Sequence, residues 1–95
     1  MSAYIVFTRE KLRDNAEFDA YSKLAGLTLA GREVKPLVVY GKCETLEGAA
    51  IEGSVILEFP SFEAAKDWYN SRAYSEARIH RFKGADYRVF IAEGL

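Results

Sequence analysis

Leu57-Glu58-Phe59-Pro60-Ser61-Phe62-Glu63-Ala64-Ala65-Lys66-Asp67-Trp68-Tyr69-Asn70-Ser71-Arg72-Ala73-Tyr74 decides the fold of this chain. An apolar strand stops at Pro60, which has no N–H to give a ladder. Ser61 is placed to cap a helix by accepting a free N–H of its first turn. That helix carries the only Trp. Ser71 repeats the capping signal just before Tyr74. The stretch therefore reads as a strand-to-helix corner followed by an aromatic helix with a break in it.

The rest of the chain falls into place around that corner. Ala3 to Thr8 is rich in aromatic and β-branched residues and predicts a first strand. Arg9 to Arg13 reads as a polar connection. Asp14 and Glu17 form an Asp-x-x-Glu start resembling a capping box. Phe18, Tyr21, Leu24, Ala25 and Thr28 follow at helical spacing, and Gly31 supplies the stop, giving a helix over 15–30. Val34 to Lys42 is a second strand, placed at a sheet edge by Pro36. Residues 43–50 form a loop, 51–59 a third strand, and 86–92 a fourth. Gly84 ends the corner helix.

Strand, helix, strand, strand, helix, strand is the order of a ferredoxin-like sandwich, an α+β fold. It has a four-stranded antiparallel sheet with two helices on one face. The 95 residues suit one domain, with no linker or low-complexity segment to divide them.

The strands also predict an assembly. A sheet with one wet face alternates apolar and polar residues. Here Tyr4 and Val6 oppose Ile5 and Phe7; Val55, Leu57 and Phe59 oppose Ile56; Tyr87, Val89 and Ile91 oppose Phe90 and Ala92. Two helices cover one face only. Ile56, Phe90 and Ala92 then belong to an uncovered apolar face, and the simplest cover is a second copy about a two-fold axis.

Composition excludes several partners. There are 13 Lys and Arg against 14 Asp and Glu, for a net charge of −1. That balance makes no electrostatic case for nucleic acid or an anionic membrane. Arg78, Arg81, Lys83 and Arg88 cluster late, but Glu76 and Asp86 sit among them, and the set reads as a solvated face. No apolar run approaches a membrane span. The start, with no basic region and only a short apolar run, reads as a strand and not a signal peptide. The single Cys43 rules out an internal disulfide and suits a reducing, cytoplasmic setting.

Candidate site residues are few. Tyr21, Trp68, Tyr69, His80 and Arg81 are the candidates for a ligand pocket between sheet and helices. Trp68 also reads as core packing whose polar tip finds a partner. A lone His80 has the chemistry of a base or proton shuttle, or sits outside beside Arg78 and Arg81. Arg81 or Arg88 would pair with an anionic ligand. With one His and one Cys there is no metal-binding spacing, so no metal is expected. No nucleophile triad, phosphate loop or HExxH pattern is present, and no organic cofactor is expected.

The corner motif also carries a resemblance. Leu57-Glu58-Phe59-Pro60-Ser61, Glu63-Ala64-Ala65 and Trp68-Tyr69-x-Ser71-x-x-Tyr74 resemble the family catalogued as domain of unknown function 1330. So do Gly31-Arg32, Leu46-Glu47-Gly48, Gly84-Ala85-Asp86-Tyr87-Arg88 and the closing Glu93-Gly94. The resemblance implies a dimeric α+β barrel, two ferredoxin-like sheets packed face to face. It brings no reaction and no catalytic residues. Folds of that kind include oxygenases, isomerases and haem-handling proteins, which is fold analogy. The expectation is a small-molecule enzyme without an organic cofactor, or alternatively a ligand-binding or purely structural protein. An open or filled space between Tyr21, Trp68 and the sheet discriminates between them. One departure is Arg72, where relatives usually carry Pro; without its preset φ the helix break is expected to be soft.

Overall fold

The computed structural model describes residues 1–95. The order is β1 (Ala3–Leu12), α1 (Asn15–Thr28), β2 (Lys35–Val39), β3 (Gly53–Phe59), α2 (Phe62–Tyr69), α3 (Arg72–Gly84) and β4 (Ala85–Glu93). The sheet runs β2-β3-β1-β4 with every neighbouring pair antiparallel. This is the expected ferredoxin-like α+β fold, with β2 at an edge as Pro36 requires.

The corner forms as its residues dictate. The Ser61 hydroxyl accepts the N–H of Ala64 at 3.0 Å, and Ser71 accepts that of Tyr74 at 3.2 Å. Ser71 also donates to the Trp68 carbonyl at 2.7 Å, so one hydroxyl closes α2 and opens α3. The break is therefore sharp without Pro at 72, and the sheet carries three helices where two were expected. The second Ser does the work of both caps.

Other boundaries differ from expectation for tertiary reasons. Arg9 to Lys11 is not a connection: β1 continues to Leu12, because Lys11 and Leu12 pair with Asp86 and Ala85 across a bulge. Charged residues are tolerated there on the partly exposed end of the ladder. β2 stops at Val39 instead of Lys42, α1 at Thr28 instead of Ala30, and Gly31 turns the chain at φ 75°. The Asp14–Glu17 start is only half a capping box. Asp14 accepts the N–H groups of Ala16 and Glu17, but the Glu17 carboxylate goes to His80.

One face of the sheet is closed by the helices. Ala3, Ile5 and Phe7 of β1 and Leu57 and Phe59 of β3 are buried beneath Ala65, Trp68, Tyr74 and Ala77. Trp68 is the centre of this layer, 4.1 Å from Tyr74 and 5.6 Å from Phe59 between ring centroids. Its indole N–H donates to the Thr28 hydroxyl at 3.0 Å, the partner that a buried Trp needs.

The other face is bare. Val6 lies opposite Ile56 on one side and Phe90 on the other, and Ile56 lies opposite Val38. One apolar row therefore crosses all four strands, and Phe90 in it is 53% exposed. Tyr4, Glu58 and Ala92 form the next row, where the Tyr4 hydroxyl donates to Glu58 at 2.9 Å. No helix is long and apolar enough to cross a membrane.

Candidate functional site

α2 lies directly across the strands, whereas α1 leans on α3. The reason is visible at the ends of the two helices. A Cβ on Gly84 would stand 2.8 Å from the Phe18 nitrogen and 3.2 Å from the Asp14 carbonyl oxygen. Only glycine lets the end of α3 meet the start of α1 so closely. Its carbonyl then accepts the N–H groups of Arg13 and Asp14, at 2.8 and 3.0 Å. Farther along, Tyr21 and Tyr74 join hydroxyl to hydroxyl at 2.8 Å. The C-terminal half of α1 is left standing off the sheet.

The space beneath it is an open cavity of about 290 Å³. Tyr21, Ser22, Ala25, Gly26 and Leu29 of α1 form one wall. Phe7, Val55 and Leu57 form the floor, Trp68 the inner end, and Pro36, Val39 and Tyr40 the β2 side. The lining is apolar apart from tyrosine and serine hydroxyls.

The five residues singled out in the sequence are not all in one place. Tyr21 and Trp68 line the cavity. Arg81 is 3% exposed, a correction to its reading as part of a solvated face. It lies behind the wall, its guanidinium 6.0 Å from the Tyr21 ring centre and 5.9 Å from that of Phe7. Tyr69 is on the other side of the helix layer, beneath the Arg78 guanidinium and beside Val89 and Ile91 in a separate cleft. His80 is half-buried between α3 and α1, its Nδ1 2.7 Å from Glu17 Oε2. It ties two helices together and does not reach the cavity. Arg88 is exposed on the bare face, paired with Glu10 at 3.0 Å.

Three residues that the sequence did not single out complete the arrangement: Arg9, Tyr40 and Tyr87. The Tyr40 and Tyr87 hydroxyls are hydrogen-bonded to each other. Tyr40 follows the end of β2 at φ 54°, a left-handed conformation that a bulky residue rarely adopts. Its N–H donates to the Ser54 carbonyl at 2.8 Å. A Cβ on Gly53 would stand 2.8 Å from the Tyr40 ring, so the missing side chain makes room for it. The Arg9 guanidinium lies 5.1 Å from the Tyr40 ring centre and 5.0 Å from that of Phe18. A tyrosine ahead of Gly41 at a strand end was the available signal, but nothing local marks its partners.

Electrostatics join these parts. Arg81 sits among the rings of Tyr87, Phe82, Phe7 and Tyr21, the nearest at 5.1 Å. Its Nε–H has no partner, and its terminal nitrogen lies 3.4 Å from the Tyr69 hydroxyl. No carboxylate is within ion-pair reach of it, and stacking on rings is its main compensation. Burial holds the Tyr21, Tyr40, Tyr74 and Tyr87 hydroxyls protonated above their ordinary range. The Arg81 charge acts against that shift on all four. No group of three or more His, Cys, Asp and Glu is arranged to hold a metal ion.

The layout has known counterparts. A protein of unknown function from Rhodopseudomonas palustris has a TM-score of 0.77 at 18% identity, over 99% of this chain and 82% of its own. A dimeric ferredoxin-like protein of unknown function from Jannaschia sp. CCS1 has a TM-score of 0.72 at 12% identity, over 99% of this chain and 100% of its own. SnoaB, a cofactor-independent oxygenase from Streptomyces nogalater, has a TM-score of 0.60 at 8% identity, over 99% and 91%. At such identities the likeness is one of fold. None of the curated proteins matches the chain. Residues 2–95, which hold the corner, the cavity and the tyrosine cluster, match the family described as "Domain of unknown function (DUF1330)", and the chain belongs to that family.

Proposed function

We propose that this chain works as a cytoplasmic homodimer that takes a small, mostly apolar molecule into the cavity beneath α1. The open cavity carries the reading. A purely structural domain has no use for an unfilled apolar space beside its largest core residue, and packed interiors leave few such voids. At about 290 Å³ it lies at the lower end of ligand pockets, which suits a molecule of one or two rings. The catalytic form of this reading is chemistry without an organic cofactor, as the name of SnoaB describes that protein. The four-tyrosine cluster beside the cavity favours it over binding alone.

Assembly follows from the bare face. The molecule is a slab 33 × 31 × 17 Å, so the broad face exceeds the roughly 800 Å² per partner of an ordinary interface. Its centre is the apolar row of Val38, Ile56, Val6 and Phe90. Its margin holds Glu58, Arg88 and Glu10, the arrangement of an apolar core with a polar rim. Several proteins of this fold are described as dimeric.

Two measurements test the proposal. Light scattering at micromolar concentration should give twice the chain mass of 10.7 kDa. Phe90→Asp should lower the association constant roughly a hundredfold, about 2.8 kcal/mol, by placing a charge in a dry layer. A wild-type monomer would remove the assembly. For the cavity, indole should raise the melting temperature of the wild type, since a ligand of the native state stabilises it. Gly26 lines the cavity and a Cβ on it would meet nothing within 4 Å, so Gly26→Leu adds a side chain at the cavity wall at little structural cost. That variant should fold and lose the response. Equal responses from both proteins would place the binding elsewhere and overturn the reading.

A further inference from the structure

We infer that the cavity's ligand carries an acidic oxygen and is bound as its oxyanion, with Tyr40 as the hydrogen-bond donor and Arg81 and Arg9 as the countercharge. The inference rests on the ligand-binding reading above and specifies the chemical class that the site selects.

Proton counting comes first. Two hydroxyls that hydrogen-bond to each other hold two protons and use one in the shared bond. The Tyr40–Tyr87 pair and the Tyr21–Tyr74 pair therefore each keep one O–H to donate elsewhere. Tyr21 and Tyr40 line the cavity, while Tyr74 and Tyr87 lie behind them. When Tyr87 donates to Tyr40, the free O–H is that of Tyr40. A hydroxyl that accepts a hydrogen bond is polarised and becomes a stronger donor. Burial keeps all four hydroxyls neutral at physiological pH, so they act as donors and compete for no positive charge.

Charge counting comes second. Arg81 is 97% buried with an unpartnered Nε–H and no carboxylate within ion-pair reach. An isolated buried charge is costly, and proteins pair it or neutralise it. Arginine stays protonated, so neutralisation is closed to it. Arg9 adds a second positive charge beside the Tyr40 ring. Its Nε is 3.4 Å from Glu52 Oε1, but out of hydrogen-bond alignment, and Glu52 also accepts the Leu12 N–H. Of the two guanidinium groups, only that of Arg9 has a carboxylate beside it. The missing negative charge belongs to whatever enters next to the tyrosines.

Strain is the third observation. Tyr40 is held left-handed, a conformation unfavourable at a bulky residue, and the absent side chain of Gly53 keeps room for its ring. The conformation sets its ring against Phe18 and the Arg9 guanidinium, and it also brings its hydroxyl to that of Tyr87.

The apolar lining and the cavity size complete the description of the ligand. It is an aromatic or aliphatic body of one or two rings bearing a phenolic, enolic or carboxylic oxygen. Neutral molecules of the same shape fill the cavity but leave the guanidinium charge unanswered.

The test uses a matched pair of probes, 4-nitrophenolate and 4-nitrotoluene, at a mildly alkaline pH where the phenol is ionised and tyrosine is not. Calorimetric titration of the wild-type dimer should show the phenolate bound at least tenfold more tightly. Tyr40→Phe, which keeps the ring and both guanidinium groups but removes the donor, should cut that preference severalfold. The absorbance of bound 4-nitrophenol gives a second readout. Its ionisation should move to lower pH on the wild type and return toward the free value on Tyr40→Phe or Tyr87→Phe, a change that a packing role does not produce. Equal binding of both probes by the wild type keeps the cavity and overturns the oxyanion. So does a phenolate preference that is undiminished in Tyr40→Phe. Binding of neither probe removes the cavity reading and this inference with it.

Discussion

α1 and the α2–α3 pair cover the same sheet face in opposite ways. α2 lies flat on the strands, and its Trp68 fills the layer completely, at 2% exposure. α1 is propped against α3 and leaves a hollow beneath its last two turns. Both helical segments begin at a good cap, so capping does not explain the contrast. The difference is in what each helix presents. α2 and α3 present Ala65 and Ala77 around one large ring, so backbone and sheet approach closely. α1 presents Phe18 and Tyr21, which reach α3 and the Arg9 and Arg81 guanidinium groups before its backbone can settle. One limb makes the fold stable, and the other holds a volume open.

The sharpest way to break the contrast is to hollow out the filled limb. Trp68→Ala removes the ring that touches Phe7, Phe59 and Tyr74 and the N–H that the Thr28 hydroxyl accepts. Large-to-small changes at buried aromatics cost about 3–5 kcal/mol. Denaturant unfolding should show that loss, with the midpoint reduced at unchanged slope. A cost under about 1 kcal/mol would mean that this layer is no better packed than the one under α1.

A smaller effect comes from the point where the two limbs meet. Gly84→Ala forces a Cβ into the backbone of Asp14 to Phe18. Overpacking of this kind costs about 1–3 kcal/mol. The backbone cannot yield as a side chain can, so α1 should tilt away from α3. The expected readout is a lower unfolding midpoint together with weaker protection of the α1 amides in hydrogen exchange, with the α2 amides unaffected. Uniform loss of protection would show that the limbs do not move separately.

How much of this contrast was legible in the sequence follows from how local each signal is. Ser61 and Ser71 announced two caps, Pro60 a stop and Pro36 an edge, because each acts within a few residues. The uncovered faces of β3 and β4 were legible because strand periodicity is strict, and Ile56, Phe90 and Ala92 share the bare face. The end of β1 was not. Arg9-Glu10-Lys11 has no apolar residue, and it becomes strand only because β4 supplies partners. The site was legible by half. Tyr21 and Trp68 stood out at helical spacing. Tyr40 follows β2, Tyr87 lies on β4 and Arg9 on β1, and no single segment shows that the topology brings them together. Arg81 misled for a related reason: its neighbours in sequence are charged and exposed, whereas its neighbours in space are rings.

The smallest predicted effect concerns the hydroxyl bond by which α1 is propped, and it acts through pH. Burial first, and then the neighbouring hydroxyl, raise the Tyr21 pKa above its ordinary value; burial raises that of Tyr74 as well. An unfolded chain loses these protons near pH 10, at the ordinary tyrosine value. The folded chain keeps them beyond it. Above about pH 10 the native state therefore binds more protons than the unfolded state, and stability falls as pH rises. Below that range both states are protonated, and the contribution is present in full. Each such group adds a slope of about 1.4 kcal/mol per pH unit. Lysines titrate in the same window, so the measurement is the difference between wild type and Tyr21→Phe. At neutral pH the variant should be less stable by about 1 kcal/mol, the net value of one hydrogen bond. Above pH 10 its curve should fall less steeply, and the two should converge and cross. Parallel curves through that range would mean that Tyr21 ionises freely in the native state. The joint between α1 and α3 would then be open to water, and the contrast between the propped and the filled limb would lose its physical basis.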